Sequence, residues 1–142
     1  MKTILAFDYG KKRIGVAIGQ TITRTASTHP VLAAGKDGMP DWQLVKQLLA
    51  NWNISDIIVG VPLNMDGTEQ PMTQAARLFC LQLRERFHVP VHEIDERLST
   101  KSVRDDLFQE GGFRAIKKAR IDSMSAQLLL EQWMNGVNRD AD

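Results

Sequence analysis

Only one cysteine, Cys80, occurs in the chain, so an internal disulfide is excluded. It falls in a helical apolar pattern with Ala76, Phe79 and Leu83, the setting of a small core residue rather than a nucleophile. No apolar run approaches the ~20 residues that a membrane helix needs. The start, Met1 and one Lys before a mixed strand, lacks the long apolar segment of a secretory signal. These absences lead to the expectation of a cytoplasmic protein in a reducing compartment, with no membrane partner. Charge of one sign is missing too: 18 Lys and Arg stand against 17 Asp and Glu, a net charge of +1. A globally basic domain is thereby excluded, and any basic surface must be local, at Lys11-Lys12-Arg13 or at Lys117, Lys118 and Arg120. His29, His88 and His92 show no ligand spacing and no Cys–His set exists, which sets zinc aside. No glycine-rich loop opens a helix for an adenine nucleotide. Repeats, low-complexity tracts and linkers are absent as well.

What is present is ordinary for a globular protein: 43% hydrophobic and 25% charged residues in 142 positions, enough for a single domain, 1–142, with a real core. Residues 3–9 and 13–20 read as strands joined by Gly10-Lys11-Lys12, a short connection that predicts a hairpin. A weakly marked third strand lies within 21–33, and 35–38 is a loop. Pro40 suits a first helical turn, and Leu44, Val45, Leu48, Leu49 and Trp52 recur at helical spacing, so a helix is expected at 40–52. The β-branched run 56–61 has the character of a strand buried on both faces. A turn-rich loop with Asp66-Gly67 leads to a helix at 72–87, whose inner side is marked by Ala75, Ala76, Leu78, Phe79, Leu83 and Phe87. A strand at 89–94 follows, then a helix from near Thr100 to Gly111-Gly112. A basic loop at 113–120, a last helix at 121–135 and a fraying tail at 136–142 complete the chain. A hairpin meander followed by alternating strands and helices implies an α/β fold, a mixed sheet with helices on its faces.

The chemistry lies in the acids. Asp8 ends the apolar run Thr3-Ile4-Leu5-Ala6-Phe7, and alternation puts it on one face with Ile4 and Ala6. Asp before a glycine turn is also a common turn former. Asp95 and Glu96 end another core strand, where either is open to a plain solvated role. Asp122 suits an N-cap, yet it shares the spacing of Ala126, Leu129, Leu130 and Trp133 and so falls on the buried stripe. Burying an unpaired charge costs several kcal/mol, roughly, unless a cation compensates it. Three acids at two strand ends and an inner helix face therefore favour a metal site. Oxygen-only ligands suit Mg²⁺ or Mn²⁺, and carboxylates that hold such ions are the usual device for cutting a phosphodiester. Arg97 beside the acids, and Lys117 and Lys118 before Asp122, fit a phosphate-bearing substrate.

Four motifs in order, FDYGKKRIGVAIG (7–19), GVPLNMDG (60–67), DERLST (95–100) and KKARIDSMSAQLLLE (117–131), resemble the YqgF-type or RuvX family of pre-16S ribosomal RNA nucleases and Holliday-junction resolvases. The likeness runs from about Ile4 to Trp133. It implies a ribonuclease H-like mixed five-stranded sheet flanked by helices, related to the RuvC resolvases, and divalent metal. It implies an Asp from the first strand, an acid from the DER motif and an Asp on the last helix. Those roles fall on Asp8, on Glu96 with Asp95 as the alternative, and on Asp122; Lys11, Lys12, Arg13, Arg97, Lys117 and Lys118 are the expected nucleic-acid contacts. One departure is Ser125, where the family usually has an alanine; it is expected on the sheet side, altering packing.

Three functions compete. The first is a metal-dependent endonuclease acting on precursor 16S ribosomal RNA or, second, on branched DNA, working near the ribosome or its precursors. The second is an actin-like ATPase half, for which the chain is too short. The third is a non-catalytic RNA-binding assembly factor, which has no use for carboxylates beside phosphates because they repel the ligand. Monomer and homodimer both remain open, and symmetric cutting of a junction would favour a twofold dimer.

Overall fold

A computed structural model of the chain describes residues 2–64, 66–95 and 123–134. The strands are β1 (Thr3–Asp8), β2 (Arg13–Gln20), β3 (Thr25–Ala33), β4 (Asp56–Val61) and β5 (Val91–Asp95), and the named helices are α1 (Trp42–Asn51) and α2 (Pro71–Arg86). Residues 123–134 form a further helix. The expected helix at 100–111, the basic loop at 113–120 and the tail lie outside the described residues.

The strands form one mixed five-stranded sheet in the order β3-β2-β1-β4-β5. Antiparallel pairing joins β1 to β2 and β2 to β3, and parallel pairing joins β1 to β4 and β4 to β5. The meander is local in sequence, whereas each parallel step needs a helical crossover. The hairpin turn depends on Gly10, where a Cβ would lie 2.5 Å from the carbonyl oxygen of Arg13.

Element ends differ from the sequence pattern for identifiable reasons. Helix α1 begins after Asp41, not at Pro40, because the Asp41 carboxylate accepts from the N–H of Gln43 at 2.9 Å and caps the helix. Strand β3 starts at Thr25, after Arg24 takes a left-handed φ of 53° in the preceding turn. Pro71 occupies the first turn of α2, behind a capping box of Gln70 and Thr73. Leu78 was expected inward but is 47% exposed, since the buried stripe of α2 runs through Thr73, Ala76, Phe79, Cys80 and Leu83.

Two cores flank the sheet. On one face Leu5, Phe7, Val16, Ile57 and Val59 pack against Val45 and Leu48 of α1 and Phe79, Cys80 and Leu83 of α2. Cys80 is the core residue expected, and its thiol is pushed up to about 12, first by burial and then by the nearby Glu93 charge. On the other face Ile4, Ala6, Ala17 and Ile58 meet Ala126, Leu129, Leu130, Trp133 and Met134 of the 123–134 helix. Small residues on that face let the helix lie close to the strands. Among the described residues no helix is long and apolar enough to cross a membrane.

Ser125 is fully buried in this second layer, and its hydroxyl has no hydrogen-bond partner among the described residues. A buried unsatisfied hydroxyl costs about 1–3 kcal/mol. Ser125→Ala is therefore expected to stabilise the protein by about 1 kcal/mol and to raise Tm by about 3 °C. A thermal melt showing a lower Tm for the variant would contradict that reading.

Candidate active site

The last residue of β1, Asp8, is 3% exposed. In the sheet it registers with Gly15 of β2 on one side and Gly60 of β4 on the other. The row Gly15–Asp8–Gly60 therefore carries a single side chain, and no neighbouring strand crowds the carboxylate with a Cβ. Strand alternation sets Asp8 on the face of Ile4 and Ala6, the face covered by the 123–134 helix. Asp122 precedes the first described residue of that helix, Ser123. Asp122 itself, with Glu96, Arg97, Lys117 and Lys118, lies outside the described residues.

The last residue of β5, Asp95, registers with Val61, and Val61 belongs to the core on the α1–α2 side. Its strand neighbours bear this out. Glu93 pairs with Arg77 at 3.5 Å and Arg84 at 3.4 Å, both on α2, whereas Ile94 packs with the opposite core and the His92 ring lies 5.4 Å from Trp133. Asp95 thus sits on the sheet face opposite to that of Asp8. The sequence left Asp95 and Glu96 as alternatives because the phase of an edge strand depends on its pairing with β4.

Lys11 and Lys12 are exposed in the turn that follows Tyr9, at the same sheet end as Asp8, and Arg13 opens β2. The turn is braced: the N–H of Ala34 donates to the Lys12 carbonyl at 3.0 Å. Tyr9, on the face opposite Asp8, donates its hydroxyl to the carbonyl of Gly38 at 2.7 Å and so ties the loop after β3 to the end of β1. Burial, then the Asp37 charge, pushes the Tyr9 phenol upward and keeps it a donor. Lys36, which the sequence pattern did not single out, belongs to that tied loop. A second buried acid, Asp56, stands at the start of β4, opposite Ile4 and thus at the far end of the sheet; Ser55 donates to it at 3.0 Å and His92 lies at 3.2 Å. It holds strands together and is remote from Asp8.

Among the described residues no three His, Cys, Asp or Glu side chains form a group able to hold a metal ion. Of the acids expected to do so, Asp8 and Asp95 are described, and they occupy opposite faces. Asp8 itself supplies the kind of donor a hard cation takes: a carboxylate oxygen, largely buried, in a row whose flanking positions are glycine.

The family model described as RuvX, Holliday junction resolvase, matches residues 2–136. The chain belongs to the RuvX family. Relatives within it include a protein named "Putative pre-16S rRNA nuclease" from Histophilus somni (strain 2336), 52% identical over 136 residues and covering 95% of this chain and 96% of that one. A protein of the same name from Escherichia coli O157:H7 (strain EC4115 / EHEC) is 54% identical over 131 residues, 92% of this chain and 94% of that one. Among solved structures, T. thermophilus RuvC in complex with a Holliday junction substrate superposes with a TM-score of 0.54 over 97% of this chain and 96% of that chain, at 13% identity. At that identity the likeness establishes the shared ribonuclease H-like fold. In this RuvX chain the signals passed over in the sequence were Gly15 and Gly60, which flank Asp8 only once the strands pair.

Proposed function

We propose that this RuvX protein is a metal-dependent endonuclease that cleaves structured nucleic acid, with maturation of the 5′ end of precursor 16S ribosomal RNA in the cytoplasm as its task. The observation that carries the proposal is the setting of Asp8. It is a sealed carboxylate between two glycines, on the face covered by the helix that Asp122 leads into, in a chain of this family. Asp8, Glu96 and Asp122 would hold Mg²⁺ or Mn²⁺. Bound there, such an ion supplies Lewis acidity for attack of water on phosphorus and charge compensation for the leaving oxygen. The chain's own residues do the rest. Burial of Asp8 keeps bulk water from its carboxylate, and the hairpin turn holds Lys11 and Lys12 at the same sheet end, where they pair with backbone phosphates. Arg13, Arg97, Lys117 and Lys118 would extend that contact. Asp95, on the sheet face opposite to that of Asp8, is poorly placed to share a cation with it.

The names of the relatives support precursor ribosomal RNA as substrate, and the family description supports a four-way DNA junction as the second reading. Purified protein with Mg²⁺ or Mn²⁺, given both substrates side by side, tests the choice. Cleavage of the precursor is expected. Cleavage of the junction alone would move the assignment to branched DNA, with a homodimer as its required form. Binding of RNA with no cleavage under either metal would leave the assembly factor.

Because phosphate contacts release counterions, affinity is expected to fall on the order of 10²-fold between about 50 and about 200 mM salt, as four or so contacts require. A flat salt titration would contradict the contacts assigned to the lysines.

A further inference from the structure

Lys11, Lys12 and Lys36 stand at one end of the sheet, on two loops that the backbone ties together. Lys11 and Lys12 are exposed in the hairpin turn between β1 and β2, and Lys36 is exposed in the loop that follows β3. The N–H of Ala34 donates to the carbonyl of Lys12 at 3.0 Å and fixes the start of the second loop to the first. Strands β1, β2 and β3 are consecutive in the sheet. Neighbouring strands lie about 4.8 Å apart, so the two loops leave the sheet within about 10 Å of each other. This is the end that carries Asp8.

The second loop has a fixed shape. The N–H of Gly38 donates to the carbonyl of Gly35 at 2.9 Å, and that of Gly35 to the carbonyl of Met39 at 2.8 Å, so Lys36 and Asp37 are the central residues of a tight turn. Tyr9, 4% exposed and beside Phe79 in the core, donates its hydroxyl to the Gly38 carbonyl at 2.7 Å. Gly38 takes a left-handed φ of 78°, and a Cβ there would lie 2.7 Å from that hydroxyl. The Asp37 carboxylate is turned back on the loop, where it accepts from the N–H of Met39 at 3.0 Å. Lys36, at the tip, has no carboxylate partner among the described residues.

The other side of the same sheet end has the opposite character. The loop after β4, residues 62–70, contains no Lys or Arg and carries Asp66 and Glu69. Arg77 of α2, next to it, is bound by Glu69 at 3.2 Å and by Glu93 at 3.5 Å. A polyanion that reaches Asp8 is therefore favoured on the β1–β2–β3 side. We infer that Lys36 is a further phosphate contact for the RNA, and that Tyr9 is the positioning residue that holds its turn beside the hairpin lysines. RNA lying against Asp8 also spans the ends of β2 and β3, where its backbone meets Lys11, Lys12 and Lys36. Ala34 and Met39 pack with Tyr9 on the α1–α2 side, so Lys36 meets a phosphate away from the bond being cut. The inference rests on the nucleic-acid reading given above and does not depend on which residues complete the cation site.

The test is the salt dependence of binding, read by fluorescence anisotropy with the full chain, a labelled fragment of precursor 16S ribosomal RNA and no divalent metal. Lys36→Gln is expected to flatten the slope of log affinity against log salt by about 0.7–1, and to weaken binding about tenfold at ~50 mM salt and about threefold at ~200 mM. Lys36→Arg, which keeps the charge, should hold the parent's slope. Arg24→Gln, the same loss of charge in the turn at the far end of the sheet, should hold it too. Tyr9→Phe removes no charge, so a purely structural tie predicts a lower Tm with the parent's slope. The positioning role predicts a slope flattened toward that of Lys36→Gln, with no further change in the double variant. If Tyr9→Phe does not fold, Gly38→Ala, which forces the turn off the Tyr9 hydroxyl, gives the same comparison. A Lys36→Gln slope equal to the parent's, while Lys12→Gln flattens its own, would overturn this inference alone, and a parental slope for Tyr9→Phe would overturn the role of Tyr9. A four-way DNA junction is measured alongside; weakening of the junction without weakening of the RNA would overturn RNA as the occupant. A parent whose binding ignores salt, or Lys12→Gln and Lys36→Gln both with parental slopes, would remove the phosphate contacts of the nucleic-acid reading and this inference with them.

Discussion

Asp8→Asn is expected to reduce cleavage by about 10³-fold or more, equivalent to ~4 kcal/mol of transition-state stabilisation, while the protein stays folded. Asn has the shape of Asp but not its charge, and a neutral amide is a poor ligand for a hard divalent cation. The positions beside Asp8 in the sheet offer no replacement ligand, because Gly15 and Gly60 have no side chains. The backbone hydrogen bonds of β1 to β2 and β4 do not involve the side chain, so a native circular dichroism spectrum and a cooperative melt should persist. The rise of Tm with Mg²⁺ should shrink or vanish in the variant, since ligand binding to the folded state is what raises Tm. Single-turnover cleavage of the precursor RNA at saturating Mg²⁺ decides the matter. A variant that cuts at the parent's rate would assign the activity to other residues.

Phe79→Ala carries the largest expected loss of stability, about 3–5 kcal/mol, with a fall in Tm of roughly 10 °C. Phe79 is fully buried on α2 at the centre of an aromatic group. Its ring centroid lies 5.3 Å from Phe7, edge-on, 5.3 Å from Tyr9 and 5.9 Å from Trp42, where the rings stack. Truncation removes those contacts and leaves a cavity that β1, α1 and α2 cannot close together. The cluster lies on the sheet face away from Asp8, so below its melting temperature the variant should keep most of its cleavage rate. Urea denaturation gives the first quantity and a rate at low temperature the second. A loss of under about 1 kcal/mol would show that the cluster is not the keystone of that core.

Much of the architecture was legible in the pattern of residues. The ends of β2 and β4 fell where expected, because Gly10-Lys11-Lys12 and the β-branched run 56–61 carry strong local signals. The capping of α1 by Asp41 was missed, since Pro40 and Asp41 both suit a helix start and only the hydrogen bond to Gln43 separates them. The outward placement of Leu78 was missed because spacing marks an apolar stripe but not where the neighbouring element stops.

The site divides along the same line. By itself the sequence determined the motif order and hence the RuvX membership, the strand–hairpin–helix succession, the end-of-strand position of Asp8 and the all-oxygen character of the candidate ligands. Those properties are local, set by residue type, period two or 3.6, and turn chemistry. Pairing between strands decided the rest. Only the register of β1 with β2 and β4 put Gly15 and Gly60 on either side of Asp8. Only the pairing of β5 with β4 sent Asp95 to the α2 face. A one-residue change of register turns every side chain of a strand to the other face, and that phase comes from contacts between segments far apart in the chain.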